Sequence, residues 1–308
     1  MAPHLSAATL TTRPDWRSLI DRIEACHRLD KAQIRDIFLG PASQTLLSRA
    51  AWIKNLGFGV KSVTVFRDNA TRNLPTVQGV MALFDPDTGA PVATLDSDLV
   101  TELKTAADSV LGARLLARPH SETLLILGAG TVANSLLEAY PAVFPSLRHV
   151  MIWNRTRERA EALADRHRHD GMRISVVDDI GPAIAAADIV STATMSYEPV
   201  IRGDWVRPGT HVDLIGAFKA DMREADDALL RKARIFVDSR STTIGHIGEL
   251  MIPIAAGVIS EADIQGDFYD LAGGAAGRLS DEDITVFKNG GGAHLDLMVA
   301  CLLHELNM

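Results

Sequence analysis

Residues 123–133 read TLLILGAGTVA. The first five form a short continuous apolar run, the pattern of a strand buried on both faces of a parallel sheet. The next six form a G-x-G-x-x-A turn that leads into a helical stretch. In that setting each small residue has a task. Gly128 permits the tight turn, Gly130 lets the backbone approach a pyrophosphate, and Ala133 lets helix and strand pack closely. The helix N-terminus adds N–H donors and a partial positive charge. Gly128, Ala129, Gly130, Thr131 and Val132 are therefore candidate cofactor-binding residues, with a purely structural glycine turn as the alternative.

Working outward from this turn, strands alternate with helices. Strands are predicted at 148–153, 173–177, 188–193, 210–215 and 234–238, with helices near 156–168 and 179–187. This alternation predicts βαβ units and a doubly wound parallel sheet, a Rossmann domain over 119–289. Upstream, 15–39 reads as mostly helical from Leu19, Ile20, Ile23 and Cys26, then Ala32, Ile34 and Ile37, ending at Gly40-Pro41. Strands follow at 59–66, 78–84 and 91–95, the last two joined by the turn Asp85-Pro-Asp-Thr-Gly89. A long Ala-rich helix over 98–118 completes an α+β domain, 1–118. A C-terminal helix, 292–307, has no strand after it, so 290–308 is expected to pack back on this first domain.

Composition narrows the function. The 308 residues suggest two domains at about 150 residues each. A formal charge of −8 and 5% aromatic content argue against nucleic acid as a partner. No apolar run approaches the ~18 residues of a membrane span, and the N-terminus lacks the pattern of a secretory signal. Cys26 and Cys301 have no CxxC or Cys/His context, so no metal site is expected, and reduced thiols in a cytoplasmic protein are. There is no G-x-S-x-G, HExxH or GxxxxGK[ST] motif, and His167 and His169 fall on a polar helix end.

Cofactor choice is read at the end of the second strand, where an NAD site places an acid for the ribose diol. No acid occurs from Arg148 through Arg157. Asn154, Arg155, Thr156 and the nearby Arg159 suit a 2′-phosphate instead, so NADP(H) is expected over NAD(H). Thr192, Ala193 and Thr194 follow another strand and are candidates for the nicotinamide ribose, or alternatively cap the next helix. Lys61, in GVKSVTVF, and Lys104, in ELKTAADS, are the candidate anion-binding cations; solvent-facing charges are the alternative for both.

These blocks resemble the ornithine cyclodeaminase/mu-crystallin family. The likeness runs over roughly 55–300 through GVKSVTVF (59–66), LPTVQGV (74–80), LFDPDTGAP (83–91), LKTAADS (103–109), GAGTVA (128–133), NRT (154–156), VSTAT (190–194) and VFKNGGGAHLDL (286–297). The resemblance implies a homodimer with a substrate and dimerisation domain beside the Rossmann domain. The cyclodeaminases of the family carry an Asp where this chain has Phe218, within Gly216-Ala-Phe-Lys-Ala-Asp-Met-Arg-Glu224. The basic Lys219 and Asp221-x-Arg-Glu224 look like the ketimine-reducing branch instead. The family usually has Arg where Lys104 stands, and an early-strand Arg aligned near Gln44. The resemblance thus implies NADPH-dependent reduction of small cyclic imino acids, Δ1-pyrroline-2-carboxylate to L-proline and Δ1-piperideine-2-carboxylate to L-pipecolate. Lys61 would hold the carboxylate or donate the proton, Lys104 and Gln44 would contact substrate, and Asp296 would lie near the nicotinamide or Lys61, orienting rather than reacting, with an N-terminal helix acid favoured by the dipole as the alternative. Ornithine cyclodeamination and a non-catalytic NADPH-binding role are the alternatives.

Overall fold

The computed structural model describes residues 2–168 and 171–308; His169 lies outside the described residues. The chain forms two compact units. One holds the residues up to Ala107 together with Gly292–Met308, and the other is Asp108–Gly291. The chain passes from one to the other inside its longest helix, rather than at the helix end expected at 118.

The first unit contains β1 (His4–Leu5), α1 (Trp16–Cys26), β2 (Gln33–Leu39), β3 (Gln44–Ile53), β4 (Gly57–Phe66), β5 (Val77–Phe84), β6 (Pro91–Asp96) and the start of α2 (Ser97–Leu116). Its six strands lie in the order β1-β6-β5-β4-β3-β2. All neighbours are antiparallel except β1 beside β6. The predicted helix from 15 to 39 is half right. Asp15 accepts a hydrogen bond from the Ser18 N–H at 2.9 Å and caps α1, whose Leu19, Ile20, Ile23 and Cys26 are buried. Ala32, Ile34 and Ile37, expected on the same helix, instead precede or lie on β2, an edge strand paired along its whole length with β3. Their helical spacing is accidental; the β2–β3 hairpin through Gly40, at φ 92°, decides the conformation. β3 itself carries no clear alternation and was not expected from periodicity.

The second unit carries β7 (Thr123–Leu127), α3 (Thr131–Val143), β8 (His149–Trp153), α4 (Arg157–Arg166), β9 (Arg173–Val176), α5 (Ile180–Ala186), β10 (Ile189–Thr192), β11 (His211–Leu214), α6 (Asp227–Lys232), β12 (Arg234–Val237), α7 (Arg240–Thr243), α8 (Gly248–Ala255), β13 (Ile264–Gly266), α9 (Phe268–Ala272) and β14 (Thr285–Lys288). Eight parallel strands lie in the order β13-β12-β14-β11-β10-β7-β8-β9. From β7 the chain winds outward through β8 and β9, then returns to the other side as β10 and β11. That reversal makes a topological switch point between β7 and β10, where open α/β sheets bind ligands beyond the carboxyl ends of their strands. The predicted strand series ended at 238, but β13 and β14 also belong to the sheet, and β14 inserts between β11 and β12. Its four residues, TVFK, end in a fully buried lysine, which hides the strand from a hydropathy pattern.

The C-terminal helix α10 (Ala293–Leu306) packs against α1 and against β3 and β4 within the first unit. Among the described residues no helix is long and apolar enough to cross a membrane. His167, expected to be solvated, has Nε2 3.0 Å from Asn134 Oδ1.

Candidate active site

At the switch point, Gly128 has φ 127°, and a Cβ there would lie 2.8 Å from the Ala193 carbonyl oxygen. The turns after β7 and β10 touch at this residue, which only glycine allows. The turn is further held by Gly128 N–H donating to Trp153 O at 2.8 Å and Ala193 N–H to Leu127 O at 2.7 Å. Gly130 is the N-cap of α3 and offers no side-chain cap. A Cβ at Gly130 would meet nothing within 4 Å, so there is free space at the start of α3, whose first N–H groups have no acceptor within the helix. Ala133 is fully buried beneath them. This cradle fits a dinucleotide pyrophosphate.

Beside it, Asn154 spends its amide on the Thr156 carbonyl at 2.8 Å, holding the turn after β8. Arg155, Thr156 and Arg159 are exposed. Arg157 is engaged by Glu161 and Asp178, whereas Arg155 and Arg159 make no ion pair among the described residues. Two basic side chains are thus left for a ligand phosphate.

Ser191, Thr192, Ala193 and Thr194 do not cap a helix. Ser191 donates to Asp213 at 2.5 Å, and Thr194 donates through N–H and hydroxyl to Glu224 at 2.9 and 2.5 Å. Glu224 and its neighbours Glu249 and Lys288 are fully buried and were not anticipated as site residues. The segment 216–224 was the signal for Glu224. Phe218 follows β11 at the same edge of the sheet, 54% exposed, with Lys219 Nζ 5.2 Å from its ring centre.

The first unit holds the predicted cations. Lys61 lies on the face of β4 that packs inward with Gly59 and Val63, and is 5% exposed. It donates to Asp296 Oδ1 at 2.6 Å and to Thr101 Oγ1 at 3.1 Å, which among the described residues leaves one of its N–H bonds unused. Asp296, in the first turn of α10, is fully buried, and its Oδ2 has no hydrogen-bond partner among the described residues. Lys104 is 6% exposed because α2 is buried on every side from 103 to 113. It has no hydrogen bond or ion pair among the described residues. Neither lysine is a solvated surface charge.

The early-strand cation is Arg49, not a residue near Gln44. Arg49 stands directly opposite Lys61 across the β3–β4 ladder and also binds Asp36 through Nε and Nη2. Gln44 pairs with Phe66 at the far end of β3, exposed, about 17 Å along the strand by its rise per residue. The structure therefore does not bring Gln44 to Lys61.

Three cations converge on one buried carboxylate. Burial alone raises the Asp296 carboxyl, but the charges of Lys61, Lys104 and Arg49 hold it below its ordinary value. Burial pulls the Lys61 ammonium below the usual lysine range, with Lys104 adding to the effect against the attraction of Asp296. His294, on α10, is driven well down by burial and by His27, Lys104 and Arg49, so its imidazole stays neutral. The cluster keeps a surplus of positive charge and an acid poised to release a proton more readily than a free lysine.

The chain is similar to known proteins in both sequence and fold. The ornithine cyclodeaminase/mu-crystallin family model matches residues 49–307. A Δ1-pyrroline-2-carboxylate reductase of Paracoccus denitrificans is 58% identical over 96% of this chain and 94% of its own. The structure of Thermococcus litoralis Δ1-pyrroline-2-carboxylate reductase with NADH and L-proline superposes with a TM-score of 0.91 at 29% identity, covering 98% of this chain and 96% of that one. An archaeal alanine dehydrogenase dimer with bound NAD also reaches 0.91, at 31% identity over 99% of this chain and 95% of that one. The chain belongs to the ornithine cyclodeaminase/mu-crystallin family.

Proposed function

We propose that this protein reduces cyclic imino acids with NADPH, converting Δ1-pyrroline-2-carboxylate to L-proline and Δ1-piperideine-2-carboxylate to L-pipecolate. The observation that carries the proposal is the buried Lys61–Asp296 pair at 2.6 Å beside the unpaired Lys104. Lys104 and Arg49 hold the substrate carboxylate, which supplies the negative charge that the cluster lacks. Lys61 gives its proton to the imine nitrogen, since an iminium is the better electrophile. The dihydronicotinamide, when bound, supplies the hydride that the C=N carbon receives. Lys61 is left as a neutral amine that its burial tolerates, and Thr101, exposed on α2, offers the path for a proton from water. Asp296 Oδ1 aims Lys61, while Oδ2 remains free to accept the N–H of the product ring nitrogen. Holding the reactants in line provides most of the rate.

Phe218 weighs against ornithine cyclodeamination and against alanine dehydrogenation, because an apolar ring neither binds an amino group nor moves a proton. The exposed Arg155 and Arg159, with no acid from Arg148 through Arg157, favour the 2′-phosphate of NADPH over the bare ribose of NADH. The name of the Paracoccus relative and the proline in the Thermococcus structure support the choice of substrate.

The outer face of the first unit's sheet supports a homodimer. The ladder registers put Ile37, Leu39, Phe58, Phe66 and Val80 on the side away from Lys61, and they are 37–57% exposed. A solvated antiparallel face alternates to polar residues; this one carries large apolar side chains among Arg35, Ser48, Ser62 and Thr64, a mixed surface that fits a second copy.

The test is initial rates with Δ1-pyrroline-2-carboxylate using NADPH and NADH side by side, and ammonia release from L-ornithine with NAD. Rapid NADPH oxidation with no ornithine turnover is expected. Ammonia from ornithine without net redox overturns the proposal.

A further inference from the structure

We infer that Glu224 is a positioning residue for the cofactor, tying the turn after β10 to the turn after β11 and placing behind them a fixed negative charge that favours oxidised, cationic nicotinamide over the reduced, neutral form. This rests on the proposed nicotinamide cofactor. Glu224 Oε1 accepts from Thr194 N–H and Oγ1–H, and Oε2 accepts from Gly216 N–H at 2.6 Å and Ala217 N–H at 3.2 Å. The two turns press together so closely that a Cβ at Gly216 would run into the Thr194 carbonyl.

The carboxylate is anchored from behind. Glu249 accepts the N–H groups of Glu224 and Ala225 at 2.7 and 2.9 Å, which fixes the backbone that carries Glu224. Lys288 donates to the carbonyls of Leu214 and Asn289 at 2.7 and 2.8 Å and forms no ion pair among the described residues. Its charge acts on Glu224 through space rather than by contact. Burial holds the Glu224 carboxyl above its ordinary value, against the pull of Lys288. Each oxygen already accepts two donors, and these four hydrogen bonds favour the charged form against burial. A buried anion solvated by backbone dipoles keeps its field at the adjacent crevice, where the low dielectric screens it little.

The experiment measures dissociation constants of oxidised and reduced cofactor by calorimetry, without substrate, for the wild type and Glu224→Gln. The oxidised form is expected to weaken by about fivefold more than the reduced form in the variant. Thr194→Ala removes ties but keeps the charge, so it is expected to weaken both forms by a common factor. Equal weakening of both forms by Glu224→Gln overturns the inference. If Glu224→Gln does not fold, Lys288→Met carries the test with opposite sign: removing the counter-charge shifts preference further toward the oxidised form, and no such shift overturns the inference. If neither form binds the wild type, the cofactor assignment itself has failed, and this inference with it.

Discussion

Replacing Asp296 by Asn separates an orienting acid from one that is merely favoured by the dipole of α10. The carboxylate oxygen sits 2.6 Å from Lys61 Nζ. Taking about 4 Å between charge centres and an effective dielectric near 20, the lost attraction is about 4 kcal/mol. That is a factor of about a thousand in the acid constant of Lys61. Lys61 is already pulled down by burial, with Lys104 adding repulsion, and Asp296 is the group that opposes both. The sign follows. With the carboxylate gone, the ammonium is disfavoured further and loses its proton at lower pH. The alkaline limb of kcat/KM, which lies below the ordinary lysine range in the wild type, is expected to move about three pH units toward acid in Asp296→Asn. The assay is kcat/KM for Δ1-pyrroline-2-carboxylate with saturating NADPH from pH 5 to 10, with circular dichroism melts to establish folding. An alkaline limb that stays in place while the melting temperature drops would refute the reasoning and leave Asp296 a helix acid.

Other outcomes follow from the same geometry. Lys104→Met is expected to raise KM for the imino acid about 10- to 100-fold, as a charge-assisted hydrogen bond of about 1.5–3 kcal/mol predicts, with cofactor affinity unchanged; Lys104→Arg is expected to retain tight binding. Arg155→Ala with Arg159→Ala is expected to weaken NADPH by roughly tenfold or more while sparing NADH, read from KM for each cofactor. Gly128→Ala forces a side chain against the Ala193 carbonyl at φ 127° and is expected to abolish cofactor binding in a calorimetric titration. Phe58→Asp on the outer face is expected to halve the mass seen by light scattering, and a mass that stays unchanged speaks against that face as the dimer contact.

What the sequence disclosed was local. The turn at 128–133 could be read because its conformation is set by its own glycines and by the apolar strand before it. The helix α1 was legible from four apolar residues at helical spacing, but β2 was not, since the same spacing in Ala32, Ile34 and Ile37 is overruled by pairing with seven residues of β3. β14 escaped because Lys288 is satisfied by carbonyls at the end of β11, 74 residues earlier. The error at Gln44 had a remedy in the sequence. Asn55, at φ 66°, and Gly57, at φ 103°, turn the β3–β4 hairpin, and counting back from Lys61 through that turn arrives at Arg49.

The burial of Lys61 is the deeper case. A lysine alternating within GVKSVTVF reads equally well as a solvent-facing residue of a half-buried strand. What decides between the two is α10, which brings Asp296 from 235 residues downstream onto the same face of β4. A lone ammonium at 5% exposure would be driven to its neutral form or out to solvent; with the carboxylate at 2.6 Å it remains as a cation that burial has made more acidic. Arg49 is matched by Asp36, so Lys104 leaves the cluster short of one negative charge. An imino acid supplies that charge in its carboxylate and consumes the acidic proton in its imine nitrogen, so one substrate answers both features of the cluster. A neutral imine answers only the second, and is expected to bind at least tenfold more weakly for want of a charge-assisted hydrogen bond to Lys104. Comparing KM for Δ1-pyrroline-2-carboxylate with that for unsubstituted Δ1-pyrroline measures the difference, and equal values for the two would show that the surplus positive charge has another purpose.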